Sequence, residues 1–225
     1  MHRLLLALLL TLCLARPALS GAWMREEGEW FLSFGGNVAL SEAAQRPVHY
    51  DPTAYLEYGL TPGLTLGLDG YVADAGDAGS VFAFARLPLA TAALPERARL
   101  AFSLGAGATI IPTGEIEPSA RLGLSFGYGL DSGWLAADAE VVQALGGSDR
   151  RQSKLDLTWG YRLGPDWTSI LSAQVGTGLE GDFYAKVTPS IAWRMTERVQ
   201  LRVGATHALT GDRGTGLLMQ VWTTF

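Results

Sequence analysis

The sequence predicts an all-β protein: a membrane-spanning, antiparallel up-and-down β-barrel of about twelve strands, with both termini on the periplasmic side. Three observations predict it. The chain opens on a secretory leader, it repeats one alternating unit from there to its end, and it stops on an alternating apolar run, Leu217 to Phe225 (LLMQVWTTF).

The leader is Met1 to Ser20. Arg3 supplies an early cation, Leu4 to Leu14 an apolar run, and Ala18-Leu19-Ser20 a small-residue end, the pattern of a signal peptide cleaved near Ser20 or Ala22. A membrane anchor needs roughly 20 apolar residues, and Arg16 interrupts this run well short of that. The lone cysteine, Cys13, follows Leu12 where a lipoprotein would carry a small residue, so the mature chain has no cysteine and neither disulfides nor thiolate metal sites. Losing Arg3 and Arg16 leaves 15 of the 17 cations against 22 acids, a net charge of −7 (15 − 22). That balance argues against a nucleic-acid or anionic-surface binder. Residues 21–225 fit one domain.

Alternating stretches separated by Gly, Asp, Pro, Ser or Thr predict strands at 29–40, 50–60, 64–72, 80–88, 97–107, 117–128, 134–144, 153–163, 167–177, 183–194, 198–208 and 216–225. Helical spacing of apolar residues is absent beyond a turn or two. Within Lys154 to Leu163 the residues Leu155, Leu157, Trp159, Tyr161 and Leu163 share one parity, and Lys154, Asp156 and Arg162 the other. The other strands with at least two charges behave the same way: Arg97 with Arg99, Glu117 with Arg121, Asp138 with Glu140, Lys186 with Arg194. In a soluble sandwich the apolar face would turn inward. The leader, the strand count and the aromatic terminal strand favour a barrel whose apolar face meets lipid, because in a bilayer every backbone polar group must be paired and only a closed sheet does that. Trp30, Tyr58, Tyr128, Trp167, Trp193, Trp222 and Phe225, near strand ends, suit interfacial girdles.

The shortest connections (Thr61 to Gly63, Leu130 to Gly133, Gly164 to Asp166, Thr196 to Arg198) are assigned to the periplasm, and longer ones such as Ser41 to His49 and Gly146 to Gln152 to the outside. Leu89 to Glu96 breaks that pattern. Pro189 removes a ladder donor inside the tenth strand, which predicts a bulge there.

The leader, the run of hairpins and the terminal Phe preceded by alternating apolar residues resemble a Gram-negative outer-membrane β-barrel. The resemblance implies that the last strand, with Val221 and Phe225, is the signal read by the barrel assembly machinery. The hairpin Tyr55 to Gly67 (YLEYGLTPGLTLG) resembles the small barrels known as phenol meta-pathway transporters.

Function then falls to the lumen. Parity assigns to it Glu57, Asp69, Arg86, Arg97, Arg99, Glu117, Arg121, Asp138, Glu140, Lys154, Asp156, Arg162, Lys186, Arg194 and Arg202, nine cations and six acids. Either these pair and fill the barrel, or they line a narrow path for small polar or anionic solutes. The acids and cations fall on different arcs, which would set up a transverse field. Inward Gly59, Gly67, Gly105, Gly123, Gly127, Gly160 and Gly204 allow either tight curvature or room for a solute. No outer loop is long enough to fold in as a plug, which favours the path.

The rival readings are a barrel-embedded hydrolase and a structural barrel. Nucleophilic catalysis needs a serine and a histidine within reach. The mature histidines, His49 and His207, fall at outer strand ends; the run after His207 lacks the serine that barrel lipases carry, and Asp51 with His207 would need His207 to leave its lipid-facing parity. No metal or cofactor is implied, and the solute is not named by the residues. Deleting Phe225 is expected to abolish most outer-membrane insertion, measured as loss of the heat-modifiable folded band in membrane fractions; undiminished insertion would contradict the reading.

Overall fold

The computed structural model describes residues 21–40, 52–73, 78–89, 93–178, 181–210 and 214–225. The leader, His49 and Asp51 lie outside the described residues. Twelve strands form one closed sheet: β1 (Trp30–Ala39), β2 (Thr53–Thr61), β3 (Leu64–Ala73), β4 (Ala78–Pro88), β5 (Ala98–Ile110), β6 (Ile116–Leu130), β7 (Gly133–Ala144), β8 (Arg151–Arg162), β9 (Trp167–Thr177), β10 (Phe183–Arg194), β11 (Val199–Ala208) and β12 (Thr215–Thr224). Each strand pairs antiparallel with its sequence neighbour, and β12 returns to β1. All twelve expected strands are present, with ends within three residues of those expected.

The seam joins Phe31 to Thr224 at one rim and Ala39 to Gly216 at the other. At the rim carrying the chain ends the Trp30 amide donates to the Phe225 carbonyl at 2.7 Å, and the Phe225 amide donates back to the Trp30 carbonyl at 3.0 Å. The terminal residue thereby uses its backbone to complete the cylinder, leaving no open edge there.

Closure separates the two faces of every strand. Leu68, Val81, Leu104, Leu122, Leu124, Leu157, Leu171 and Met219 are exposed on the outside, whereas Glu57, Arg86 and Arg121 are buried within. This is the reverse of a soluble sandwich and matches a cylinder solvated by lipid. Around the rim of the chain ends the exposed Trp30 ring lies 4.5 Å from the half-buried Tyr58 ring, and Trp167 stacks on Trp193 at 5.7 Å.

Two expectations are corrected. Pro189 makes no bulge: β10 pairs continuously with β9 through Pro189 and Leu171, and its β11 pairs run Val187 with His207, then Ser190 with Gly204, in unchanged register. The ladder skips the proline's unmakeable bond, and the Thr188 and Thr206 hydroxyls bridge the gap at 3.0 Å. Trp222 is not in a girdle. It shares the inner parity of Gln220 and packs on Trp134, Ala136, Ile170 and Ala192 inside the barrel.

Candidate functional site

The chain itself enters the lumen. Before β1, residues Gly21 to Glu29 run into the barrel from the rim of the chain ends. Ala22 is 2% exposed, and Trp23 packs on the inward cluster of Trp134, Ala136, Ile170 and Ala192. Arg25 meets Glu57 on β2, Phe31 on β1 and Thr65 on β3. One short segment touching β1, β2, β3, β7, β9 and β10 can do so only from the axis. The expectation that nothing plugs the lumen considered outer loops alone; the plug enters from the opposite end.

Several inward glycines make room for rings. A β-carbon at Gly67 would strike the Phe84 ring, at Gly127 the Trp23 ring, and at Gly160 the Trp134 ring. At Gly59 it would strike the backbone of Glu26 in the plug. These absent side chains seat aromatics and the plug, so the space they leave is filled.

The plug is held by charge at its outer end. Glu57 has no exposed surface, and its carboxylate accepts from Arg25 Nε at 2.5 Å, from the Tyr55 hydroxyl at 2.5 Å and from Arg86. Arg86 also donates to the Tyr55 hydroxyl at 2.9 Å. Arg25 lies 4.2 Å over the Phe31 ring and has a second carboxylate, Glu29, at 3.6 Å. Two guanidiniums share this dry carboxylate; without it Arg86 would be a buried charge with no counterion, and Arg25 would lose its nearest one and keep the more distant Glu29.

Farther from that rim the lumen carries a second cluster. Arg121 on β6 pairs with Asp69 on β3 and lies 3.9 Å from Glu140 on β7. Lys154 bridges Glu140 at 3.2 Å and Asp156 at 3.1 Å, and Gln174 donates to Asp156. The Arg121 guanidinium stacks over Phe82 and Phe84 at 4.8 and 5.3 Å. Because β3 and β6 are not neighbours in the sheet, the Arg121–Asp69 contact crosses the lumen side of β4 and β5. Lys154 keeps 35% of its side-chain surface exposed and Asp69 31%, so water reaches these members of the cluster, while Arg121, at 8%, is as enclosed as Arg86 beside the plug.

On the facing arc Arg202 donates, among the described residues, to neutral groups: Ser190 at 2.9 Å, Ser172 at 3.2 Å and Gln220 at 3.3 Å. Its guanidinium lies 5.6 Å from the Trp222 ring. Lys186 lies 5.7 Å over Tyr184.

The remaining assigned residues sit at the rims. Arg97 pairs with exposed Asp131 at 2.6 Å, Arg99 donates to the carbonyls of Glu96 and Ala98, and Arg162 donates to the Asp131 carbonyl, all at the rim of the chain ends. Arg194 lies at the same rim, two residues beyond Ala192 at the end of β10. Glu117 pairs with Arg150 at 3.5 Å near the opposite rim. Asp138 stands mid-barrel beside Gly21. The segregation of charge is thus broken up locally: Arg86 and Arg121 are each claimed by acids of nearby strands. His207 is exposed on the outer face, its Nδ1 2.9 Å from the Thr215 hydroxyl, in no arrangement with an inward serine.

A reading confined to charges overlooked Phe31, Tyr55, Phe82, Phe84 and Trp134. The signal was available, since Tyr55 shares the parity of Glu57, Phe82 and Phe84 that of Arg86, and Trp134 that of Asp138. Arg25 and Trp23 precede the first strand and carry no periodic signal.

No family model and no curated protein sequence matches the chain. Solved structures do. The COG4313 outer membrane channel from Pseudomonas putida F1 matches with a TM-score of 0.60 at 14% identity, over 93% of this chain and 99% of that one. The KdgM porin matches at 0.56 and 10% identity, over 88% and 99%. The CymD monoaromatic hydrocarbon channel matches at 0.52 and 8%, over 89% and 88%. The fold is that of outer-membrane channels. At such identities the likeness is one of architecture, and the contents of the lumen belong to this chain.

Glu57→Gln should lower the stability of the folded barrel by about 3–5 kcal/mol, because it leaves the buried Arg86 guanidinium without a counterion and takes from Arg25 its nearest one. The expected readout is a lower urea midpoint for the shift from the fast-migrating to the slow-migrating band in gels. An unchanged midpoint would show that the Arg25–Glu57–Arg86 cluster does not hold the structure.

Proposed function

We propose that this protein is an outer-membrane channel for small polar solutes, anions included, whose width is set by its own N-terminal segment. Its chain ends face the periplasm, so the plugged half is periplasmic and the hydrated half opens outward. The observation that carries this reading is the contrast between the two halves. Around Asp69, Glu140, Lys154 and Asp156 the lumen is charged and water-accessible, and around Glu57 it is sealed by Arg25 and Arg86. A solute entering from outside meets charges of both signs, which can replace its hydration, and then the ring of Trp23, Trp134 and Trp222. Arg202, with hydroxyls and an amide around it and no carboxylate bonded to it, offers an anionic group its best partner on that route.

The architecture shared with known channels supports transport over catalysis. A purely structural barrel is the second reading, favoured by the sealed Glu57 cluster. Solute flux separates the two. Proteoliposomes holding the refolded protein should swell in glycine and arabinose and stay unswollen in raffinose. Arg202→Gln should slow entry of a small carboxylate relative to arabinose by about tenfold, the equivalent of one lost charge-assisted hydrogen bond. Absence of swelling in every solute would overturn the channel and favour the structural barrel.

A further inference from the structure

We propose that hydrolysis of the Ser20–Gly21 bond creates an ion pair inside the lumen, between the new α-ammonium of Gly21 and the carboxylate of Asp138, and that this pair is the inner anchor of the plug. The inference rests on the secretory leader and the outer-membrane reading above, and it adds the scissile bond and the destination of the charge that cleavage produces.

Gly21 is buried, far inside the rim at which β1 begins. Its φ is 78°, a left-handed conformation suited to glycine, and a β-carbon there would collide with the Asp138 carboxylate oxygens. The α-nitrogen is only two bonds from that collision point, which puts it within roughly 5 Å of the carboxylate. Asp138 needs a cation. Its cross-strand partner on β8 is Asp156 and its partner on β6 is Ser125, so a second acid stands directly opposite it. Like charges in that relation oppose each other. The cations nearby are committed: Lys154 to Glu140 and Asp156, Arg121 to Asp69 and Glu140, Arg86 to Glu57. Among the described residues no lysine or arginine forms an ion pair with Asp138.

Processing supplies the missing charge. The leader peptidase reads small side chains at alternate positions, here Ala18 and Ser20. Water adds across the peptide bond; the Ser20 carbonyl carbon takes the oxygen and leaves as a carboxylate, and the Gly21 nitrogen takes the protons and remains as an ammonium. Before cleavage that nitrogen is a neutral amide, and against Asp156 the Asp138 carboxylate has the Ser125 hydroxyl and the more distant charges of Arg86 and Lys154 but no cation in contact. After cleavage the plug carries a cation at each end, the Gly21 ammonium against Asp138 and Arg25 against Glu57. Seating of the plug is therefore tied to maturation, and cleavage one residue later would remove the group that fits.

The test uses protein purified from outer membranes. Intact mass and the tryptic peptide ending at Arg25 should identify Gly21 as the first residue. Brief reductive methylation near neutral pH should label its α-amine about tenfold more slowly than in Asp138→Asn or in the urea-unfolded protein, equivalent to one unit in the availability of the free base. A variant with two alanines inserted between Ser20 and Gly21 guards against misfolding of the Asp138 variant. It should fold and label fast at its displaced amine. A mature chain beginning elsewhere, or equal labelling of wild type, both variants and unfolded protein, overturns the proposal. Neither readout involves flux: a protected Gly21 in a non-conducting barrel sustains the ion pair and refutes the channel, and a freely labelled Gly21 in a conducting barrel does the reverse.

Discussion

Every feature of this molecule depends on the need to pair backbone groups where no water can reach them. An unpaired N–H or C=O facing hydrocarbon costs several kcal/mol, so the sheet cannot keep an edge and β12 must return to β1. The exchange of two hydrogen bonds between Trp30 and Phe225 is the point at which that requirement is met. Once the cylinder is closed, the period of two along each strand divides its side chains between lipid and lumen.

The lumen that results has its own constraint. Charges placed there are partly withdrawn from water, so each must find a counterion or a set of polar partners. Glu57 satisfies Arg86 and Arg25 together, and Arg121, Lys154, Asp69, Glu140 and Asp156 satisfy one another within one strand, between neighbours and, for Arg121 with Asp69, across two intervening strands. Glycines opposite Phe84, Trp23 and Trp134 let large rings lie flat against the wall. The same economy of space admits the N-terminal segment, which brings its own cation to an acid that already has one partner. The barrel is thus narrowed by nine residues, 21–29, that precede its first strand.

The fold was legible in the sequence because alternation is a local property. Lys154 to Leu163 shows its two faces without reference to any other strand, and the repetition of such segments with short turns between them admits only a meander. Inward charges are legible for the same reason, as the shared parity of Asp138 and Glu140 illustrates. Pairing is not local. Arg121 and Asp69 are 52 residues apart and three strands apart in the sheet, and nothing in either strand specifies the other. Trp222 shows a different failure, since its position near a strand end suggested an interface while its parity, shared with Gln220, put it inside. Pro189 was read as a bulge because its missing donor was weighed without the Thr188 and Thr206 hydroxyls that cover the gap. The plug escaped altogether, because Gly21 to Glu29 has neither the period of a strand nor the length of a loop, and only three-dimensional closure gives it something to enter.

Two properties of the lumen follow from one arrangement. The half near the chain ends holds the tightly paired Glu57 cluster, and the other half, hydrated and mixed in charge, is where the proposed solute path runs. The boundary between them is the segment from Gly21 to Glu29. Single-channel conductance tests that account most directly: the wild-type protein is compared in planar bilayers with a variant that lacks residues 21–28 behind an intact leader. A small, steady wild-type conductance that becomes several-fold larger when the segment is removed is the predicted result. Equal conductance in the two proteins, or silence in both, would contradict it.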